Sequence, residues 1–390
     1  MLLRASNREK VPGGLDKSPA INSMKDGILP ASAAHTIDFG YIQGAWRRSE
    51  AMCSSETDPV EPPTVSELEK ALGQAVEKCD LFAKNWRNRI YRIELAHGRL
   101  VLGKQLVMGT DAMLQYQYGE LRVLAALQVP GLRVPKALAL LRGKRVLVME
   151  FARGTPIPAL LRKGASANDV VSACELAGKI LARIQMTWTQ NICPMPVEAL
   201  ARDLAAAPWQ LSAREQKILR SALESLAGAK VRMGQVYYDY KAANLLLENN
   251  ELFLVDPPDR LREGVHLWDF SCFSSSMRRH LWRFSLRRPF DRRRAIVNKS
   301  LVAFEQGYLT SFTNRHPEPP LFALAVRLFE LQRNAVLMTM QKAKVTLARQ
   351  KVPLAKGKRL GSPLVNRLTL PLLEIEKRWL FRQLTRELRR

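Results

Sequence analysis

Asp239, Asn244 and Asp256 are the residues of this 390-residue chain whose types and spacing best suit chemistry. Asp239 and Asn244 bound the stretch Tyr237-Tyr238-Asp239-Tyr240-Lys241-Ala242-Ala243-Asn244, and Asp256 ends a short apolar run. The set is a carboxylate, an amide and a second carboxylate close together in the chain. Phosphoryl transfer from a metal-bound nucleotide uses such groups. One carboxylate positions the attacking hydroxyl, while the amide and the other carboxylate hold the metal that neutralises the phosphates.

Such groups need rigid elements to hold them. The chain 65–77 reads as a short amphipathic helix, followed by strands 90–95 and 99–106 across Ala96-His97-Gly98. Helix 111–127 carries Leu114, Leu121, Leu124 and Leu127 near one face. A hairpin pairs 136–142 with 145–151 across Gly143-Lys144. These elements describe a small antiparallel sheet crossed by one helix. Composition then turns helical. Helix 166–185 opens at Ser166 with Asp169 at the capping spacing, and helix 212–226 opens at Ser212 with Glu215 and stops at Gly228. A hairpin of 245–247 and 252–255 around Asn249-Asn250 sits inside the helical half, and helices follow to the end.

Lys104 lies in an apolar strand, where an unpaired ammonium is costly to bury. Glu120 on the next helix would supply its partner. Taken singly, an exposed strand Lys and a helix-face Glu are ordinary. The order of the whole set is not: strand Lys, helix Glu, an apolar strand ending Met149-Glu150-Phe151, then Asp239, Asn244 and Asp256.

This order resembles the protein-kinase-like phosphotransferases. The likeness is nearest to the lipopolysaccharide core sugar kinases and the aminoglycoside phosphotransferase-like kinases. It implies an α+β, two-lobed fold, with a small antiparallel-sheet lobe at 64–151 and a larger, mainly helical lobe at 152–340. A loosely ordered extension, 1–63, would precede them, and a basic helical extension, 341–390, would follow. The resemblance also implies ATP and Mg²⁺. Lys104 would contact the α/β-phosphates and pair with Glu120, and the backbone of Met149, Glu150, Phe151 and Ala152 would hold the adenine. Asp239 would orient or deprotonate the acceptor hydroxyl, and Lys241 would steady the transferred group. Asn244 and Asp256 would bind the metal. His266-Leu267-Trp268-Asp269-Phe270 resembles the family's second aspartate motif, whose Asp anchors the catalytic loop. Gln185 stands where the family often has a His.

The chain departs from the pattern in three places. Tyr237-Tyr238 replaces the usual His before the catalytic Asp. Pro257-Pro258 replaces Phe-Gly after the metal Asp and stiffens the backbone, which argues against a flipping activation segment. No glycine-rich phosphate loop is present; Arg87 or Arg89 is the candidate substitute. A small-molecule kinase therefore fits better than a regulated protein kinase. An inactive kinase-like module is the opposing reading, but retention of all five polar groups argues for activity.

The formal charge is +25, with +19 of it in two stretches. Residues 271–300 hold nine Lys/Arg and one acid; residues 341–390 hold fourteen and three. Such excess suits an anionic partner, while the bland reading is a solvated basic face. Arg278, Arg279, Arg283, Arg287, Arg288 and Arg292–Arg294 interleave with Leu281, Trp282, Phe284 and Phe290, as at an anionic lipid interface. Residues 368–390 set Leu373, Trp379, Leu380, Phe381 and Leu384 against Lys377, Arg378, Arg382 and Arg386. That segment would either lie on a membrane or pack on the large lobe. Five scattered cysteines without a C-x-x-C pair suggest no zinc site and no disulfide framework. The sequence shows no signal-peptide core and no spanning segment, so the expected location is cytoplasmic, peripheral to the inner membrane.

Three readings follow. One is an ATP-dependent kinase for a hydroxyl of an anionic sugar or glycolipid, lipopolysaccharide-core-like and membrane-associated. Another is a soluble kinase of the aminoglycoside or choline type. The last is an inactive kinase-like module whose basic tail docks membrane or, as a weaker match, nucleic acid.

Overall fold

The computed structural model describes residues 60–84, 88–107, 109–163, 165–257, 263–287, 291–312, 317–349 and 363–390. The expectations for residues 1–59, for Arg87, for Pro258 and for the side chains of Arg283, Phe284, Arg287, Arg288 and Phe290 fall outside the described residues.

The small lobe starts with helix α1 (Val65–Leu72). Thr64 and Glu67 cap it reciprocally, and it stops at Gly73, whose φ of 64° is left-handed. That stop corrects the longer helix expected to residue 77. Strand β1 (Val76–Lys84) takes the remainder and pairs antiparallel with β2 (Asn88–Leu95). β2 pairs in turn with β3 (Arg99–Leu106). Helix α2 (Asp111–Ala126), capped by Thr110, crosses next. The short β4 (Leu132–Arg133) precedes the hairpin of β5 (Ala137–Leu141) and β6 (Val146–Glu150). The sheet order is β1-β2-β3-β6-β5. β3 and β6 are central, and Lys104 lies opposite Leu147 in their register. Ile93, Leu95, Val101, Val146 and Val148 fill one side of the sheet. On the other side Leu106, Leu147 and Met149 meet Leu114 and Leu121 of α2.

The chain leaves β6 through β7 (Thr155–Pro156) and the short helix α3 (Ile157–Lys163) into helix α4 (Ala167–Trp188). Strand β8 (Thr189–Pro194), helix α5 (Val197–Ala205), helix α6 (Ala213–Leu226) and strand β9 (Lys230–Gln235) follow. The hairpin β10 (Leu245–Glu248) and β11 (Glu251–Leu254) comes next, then β12 (Glu263–Val265). Helices α7 (Leu267–Arg287), α8 (Arg293–Thr310), α9 (Pro319–Arg349) and α10 (Pro363–Glu387) complete the large lobe. The sheet β12-β9-β8 was not foreseen; its strands are short and carry little apolar alternation. A second sheet, β4-β11-β10-β7, joins residues from before and after the lobe boundary. α4 and α8 cross almost in backbone contact: a Cβ on Gly178 would sit 2.1 Å from the Phe304 carbonyl oxygen, and one on Gly307 2.2 Å from that of Glu175. Only glycine permits that approach.

α9 runs unbroken through position 340, where the sequence suggested a boundary. The terminal segment does not present its apolar stripe outward. Leu373, Leu380, Phe381 and Leu384 are buried, each burial being worth about 1.5–3 kcal/mol. The packed-helix alternative therefore holds, and the membrane-lying one is overturned. Arg278 and Arg279 likewise turn inward, onto Glu330 at 2.9 Å and Glu376 at 3.0 Å. They are structural cations, not a lipid-facing row. Among the described residues, no helix is long and apolar enough to cross a membrane.

Candidate active site

The loop between β9 and β10 is held by one buried carboxylate. Asp269, in the first turn of α7, accepts the backbone N–H of Tyr237 at 2.7 Å and that of Tyr238 at 2.6 Å. Burial pushes its carboxyl up to about 7, against the opposing pull of the two amides. Tyr238 is twisted to φ 71°, a strained conformation for a bulky side chain. Its ring stacks on Trp268 at 5.2 Å, and its carbonyl accepts the Trp268 indole N–H at 3.1 Å. The strain is thus overdetermined by neighbours.

Tyr237 fills the place of the expected His with a different device. Its hydroxyl donates to the carbonyls of Asp256 at 2.9 Å and Val255 at 3.3 Å. It ties the Asp239 loop to the backbone that carries Asp256, itself at φ 63°. Burial lifts the Tyr237 phenol well above its ordinary pKa, with Asp256 and Asp239 adding to the effect, so it remains a donor. Gln185 also acts structurally: its amide donates to the His266 carbonyl at 2.9 Å and accepts the Tyr308 hydroxyl at 2.8 Å.

Asp239 itself is a third exposed. Its Oδ2 lies 2.5 Å from Lys241 Nζ, and its Oδ1 lies 3.2 Å from Arg333 Nη2. Asn244, in the 3₁₀ turn Ala242–Asn244, donates its amide to the Asp239 carbonyl at 3.1 Å. The Asn244 carbonyl accepts the Val255 N–H at 2.9 Å, which sets the β10–β11 hairpin beside the loop. Arg333 was missed in the sequence. The available signal is the polar run Glu330, Gln332, Arg333 and Asn334 inside an otherwise apolar helix, all of it buried.

Lys104 is buried and pairs with Asp256 Oδ1 at 2.5 Å, not with Glu120. The expected Lys104–Glu120 pair is therefore corrected. Glu120 sits on the α2 face that also buries Leu121 and Leu124, and burial raises its carboxyl pKa, which disfavours the anion an ammonium needs. Asp256, nearly half exposed, keeps its charge at less cost. Arg89 is not aimed at phosphate either; its guanidinium donates to the Val60 carbonyl and to Gln105.

A cleft of about 450 Å³ separates the lobes. Lys104 and Asp256 lie at one part of its wall, and Met149, Glu150, Phe151 and Ala152 at another. Ile90, Leu102, Leu246 and Val255 supply apolar surface between them. Glu150 is fixed by its N–H to the Lys136 carbonyl at 2.9 Å. Phe82, largely exposed on β1, meets Phe151 edge to face at 6.4 Å. The cleft thus joins an apolar wall to the charged pair of Lys104 and Asp256.

Among the described residues no group of three or more His, Cys, Asp or Glu forms an all-protein metal cage. Mg²⁺ in phosphoryl transfer is generally held by one or two protein oxygens together with substrate phosphates. A carboxylate at Asp256 and an amide at Asn244 are hard oxygen donors of that kind, so the residues fit the ion.

Residues 78–313 match the phosphotransferase enzyme family. The structure resembles a choline/ethanolamine kinase family protein from Mesorhizobium loti, with a TM-score of 0.51, 12% identity, and coverage of 88% of this chain and 98% of that one. It also resembles a putative aminoglycoside phosphotransferase from Ralstonia eutropha, with a TM-score of 0.51, 13% identity, and coverage of 87% and 98%. A third likeness is to a thermostable mutant of an aminoglycoside phosphotransferase in ternary complex with AMP-PNP and hygromycin B. There the TM-score is 0.50 and the identity 12%, over 84% and 98% of the two chains. A search of curated proteins found no match. Fold and site thus define a two-lobed kinase-like phosphotransferase. The chain belongs to the phosphotransferase enzyme family.

Proposed function

We propose that this enzyme moves the γ-phosphoryl group of Mg²⁺–ATP to a hydroxyl of an anionic sugar or sugar-bearing lipid. The observation that carries this reading is the charge around Asp239. Its carboxylate lies between two cations, Lys241 and Arg333. An acceptor delivered there meets positive charge, which favours an anionic substrate and opposes a cationic one.

The roles follow from placement. Met149, Glu150, Phe151 and Ala152 would hold the base through backbone groups, and Lys104 the phosphates. Asn244 and Asp256 would hold Mg²⁺, which supplies charge neutralisation at the phosphates. Asp239 would orient the acceptor hydroxyl and take its proton. Lys241 would neutralise the moving group. Glu120 is a buried acid on α2.

A second reading, a kinase for a small hydroxyl compound of the aminoglycoside or choline type away from any lipid, is favoured by one observation. The apolar stripe of α10 is spent on the large lobe. Transfer of labelled γ-phosphate to small sugars, envelope glycolipids, aminoglycosides and choline separates the two. Labelling of anionic sugars or glycolipids above the cationic compounds supports the first reading; preference for aminoglycosides or choline overturns it.

A further inference from the structure

Asp239 is gripped by two cations of different kinds. Lys241 comes from the same loop, is a third exposed, and ends a flexible stem. Arg333 comes from α9, ninety-four positions away, with its side chain only 10% exposed. Its guanidinium lies 5.6 Å from the centre of the Trp268 ring, the same ring that stacks on Tyr238.

The helix beneath Arg333 is fixed by buried polar bonds. One turn earlier, Glu330 takes Arg278 at 2.9 Å and Arg327 at 2.7 Å, and it accepts the Ser274 hydroxyl at 2.5 Å. Two cations hold the Glu330 carboxyl down at about 2, so it is ionised. On the other side, Asn334 donates to the Leu373 carbonyl and to Glu376 of α10, each at 3.0 Å. Rotating or sliding α9 would strand several buried polar groups, each costly to leave unpaired. Arg333 is therefore a rigid anchor, and Lys241 a mobile one.

We propose that Arg333 is the positioning residue for Asp239, an inference that rests on the reading of Asp239 as the group that takes the acceptor proton. Arg333 holds Oδ1 in place. Lys241 turns from Oδ2 to the phosphoryl group, and Oδ2, with the Asn244 amide still 3.4 Å away, takes the acceptor. The acceptor oxygen forms its bond to the γ-phosphorus as the bond to the ADP oxygen breaks. The leaving electron pair stays on ADP, and the acceptor proton passes to Oδ2. Without Arg333 the carboxylate would rotate with Lys241 and lose its aim. A planar guanidinium resting against an aromatic ring fixes direction better than an ammonium. Arg333 lies beyond residues 78–313, so the segment that aims Asp239 is outside the part matching the family. On this view α9 and α10 belong to the catalytic scaffold.

The test uses the full chain and Mg–ATP hydrolysis with water as acceptor, which leaves the nature of the natural acceptor out of the outcome. Arg333→Ala should lower kcat about 100-fold, the usual cost of a misaimed group. KM for Mg–ATP should stay within about threefold, because the loss is confined to the transition state. Methylguanidinium in the medium should restore part of the rate to Arg333→Ala, and Arg333→Lys should fall between it and wild type. Circular dichroism and thermal melting accompany each assay. Unchanged kcat in folded Arg333→Ala overturns the proposal. So does a loss that tracks unfolding and is not relieved by methylguanidinium. If Arg333→Ala does not fold, Arg333→Lys decides: a lowered kcat with KM kept supports the proposal, and a wild-type kcat overturns it. A wild-type chain without any hydrolysis refutes the role of Asp239, a failure distinct from an active enzyme indifferent to Arg333.

Discussion

Asp239 and Asp269 are carboxylates at two ends of one loop system, and their surroundings are opposite. Asp239 is a third exposed and faces two side-chain cations. Asp269 is fully buried and faces two backbone amides. The difference separates a group that can exchange partners from a group that cannot. Cations on side chains can swing away and let a carboxylate work. Backbone amides cannot leave without unfolding the loop. Asp269 thus keeps Tyr238 in its strained turn, one residue before Asp239.

Substitutions should break this contrast in opposite currencies. Asp239→Asn should cut phosphoryl transfer by about 10²–10⁴-fold, the range for a lost general base. Its unfolding free energy should move by under about 1 kcal/mol, as for a partly exposed ion pair. Steady-state kinetics and denaturant melts on one preparation give both numbers.

Asp269→Asn should show the reverse emphasis. An Asn amide cannot accept both backbone N–H groups, so one is left buried and unpaired, at about 2–3 kcal/mol. The pH dependence sharpens the point. Burial pushes the folded carboxyl up to about 7 from its ordinary 3.8. Between those pH values the folded state binds the extra proton. This group's contribution to stability is therefore present in acid and lost as pH rises through about 7. The stability gap between wild type and Asp269→Asn should narrow from pH 5 to pH 8 in urea melts. A gap independent of pH would contradict the assignment.

Tyr237→Phe is the smallest break. It removes the hydroxyl that ties the loop to the Asp256 carbonyl. The cost should be about 0.5–1.5 kcal/mol in a urea melt.

The part of the site that was legible in the sequence is the part built locally. Asp239, Asn244 and Asp256 sit on one loop and one hairpin, so their spacing maps onto space. Asp269 was legible only through the resemblance of His266-Leu267-Trp268-Asp269-Phe270 to the family's second aspartate motif. Lys104 lies on the strand expected of it, but its partner is Asp256 and not Glu120. The choice between Glu120 and Asp256 depends on desolvation, which burial decides and spacing does not. Arg333 was missed because its contact with Asp239 is made across the sequence by helix packing, and the polar run around it marks a buried cluster without naming the partner. The two-lobed arrangement was what the resemblance implied, while the small antiparallel sheet followed from turn residues and periodicity. β1 did not, because its residues are mostly exposed and lack alternation. The basic, aromatic stretch at Arg278 misled for a related reason: charge and rings mix at lipid surfaces, and also in a buried network such as Arg278, Glu330 and Trp379, where the guanidinium lies 4.3 Å from the Trp379 ring centre.

The central claim is that Asp256, with Asn244, makes this cleft a Mg²⁺-dependent nucleotide site. Calorimetric titration with ATP, with and without Mg²⁺, tests it most directly on wild type and Asp256→Ala. The account predicts that Mg²⁺ tightens ATP binding to wild type and that Asp256→Ala loses this gain while still melting cooperatively. Binding that is equally tight without Mg²⁺, or unchanged by Asp256→Ala, would contradict it.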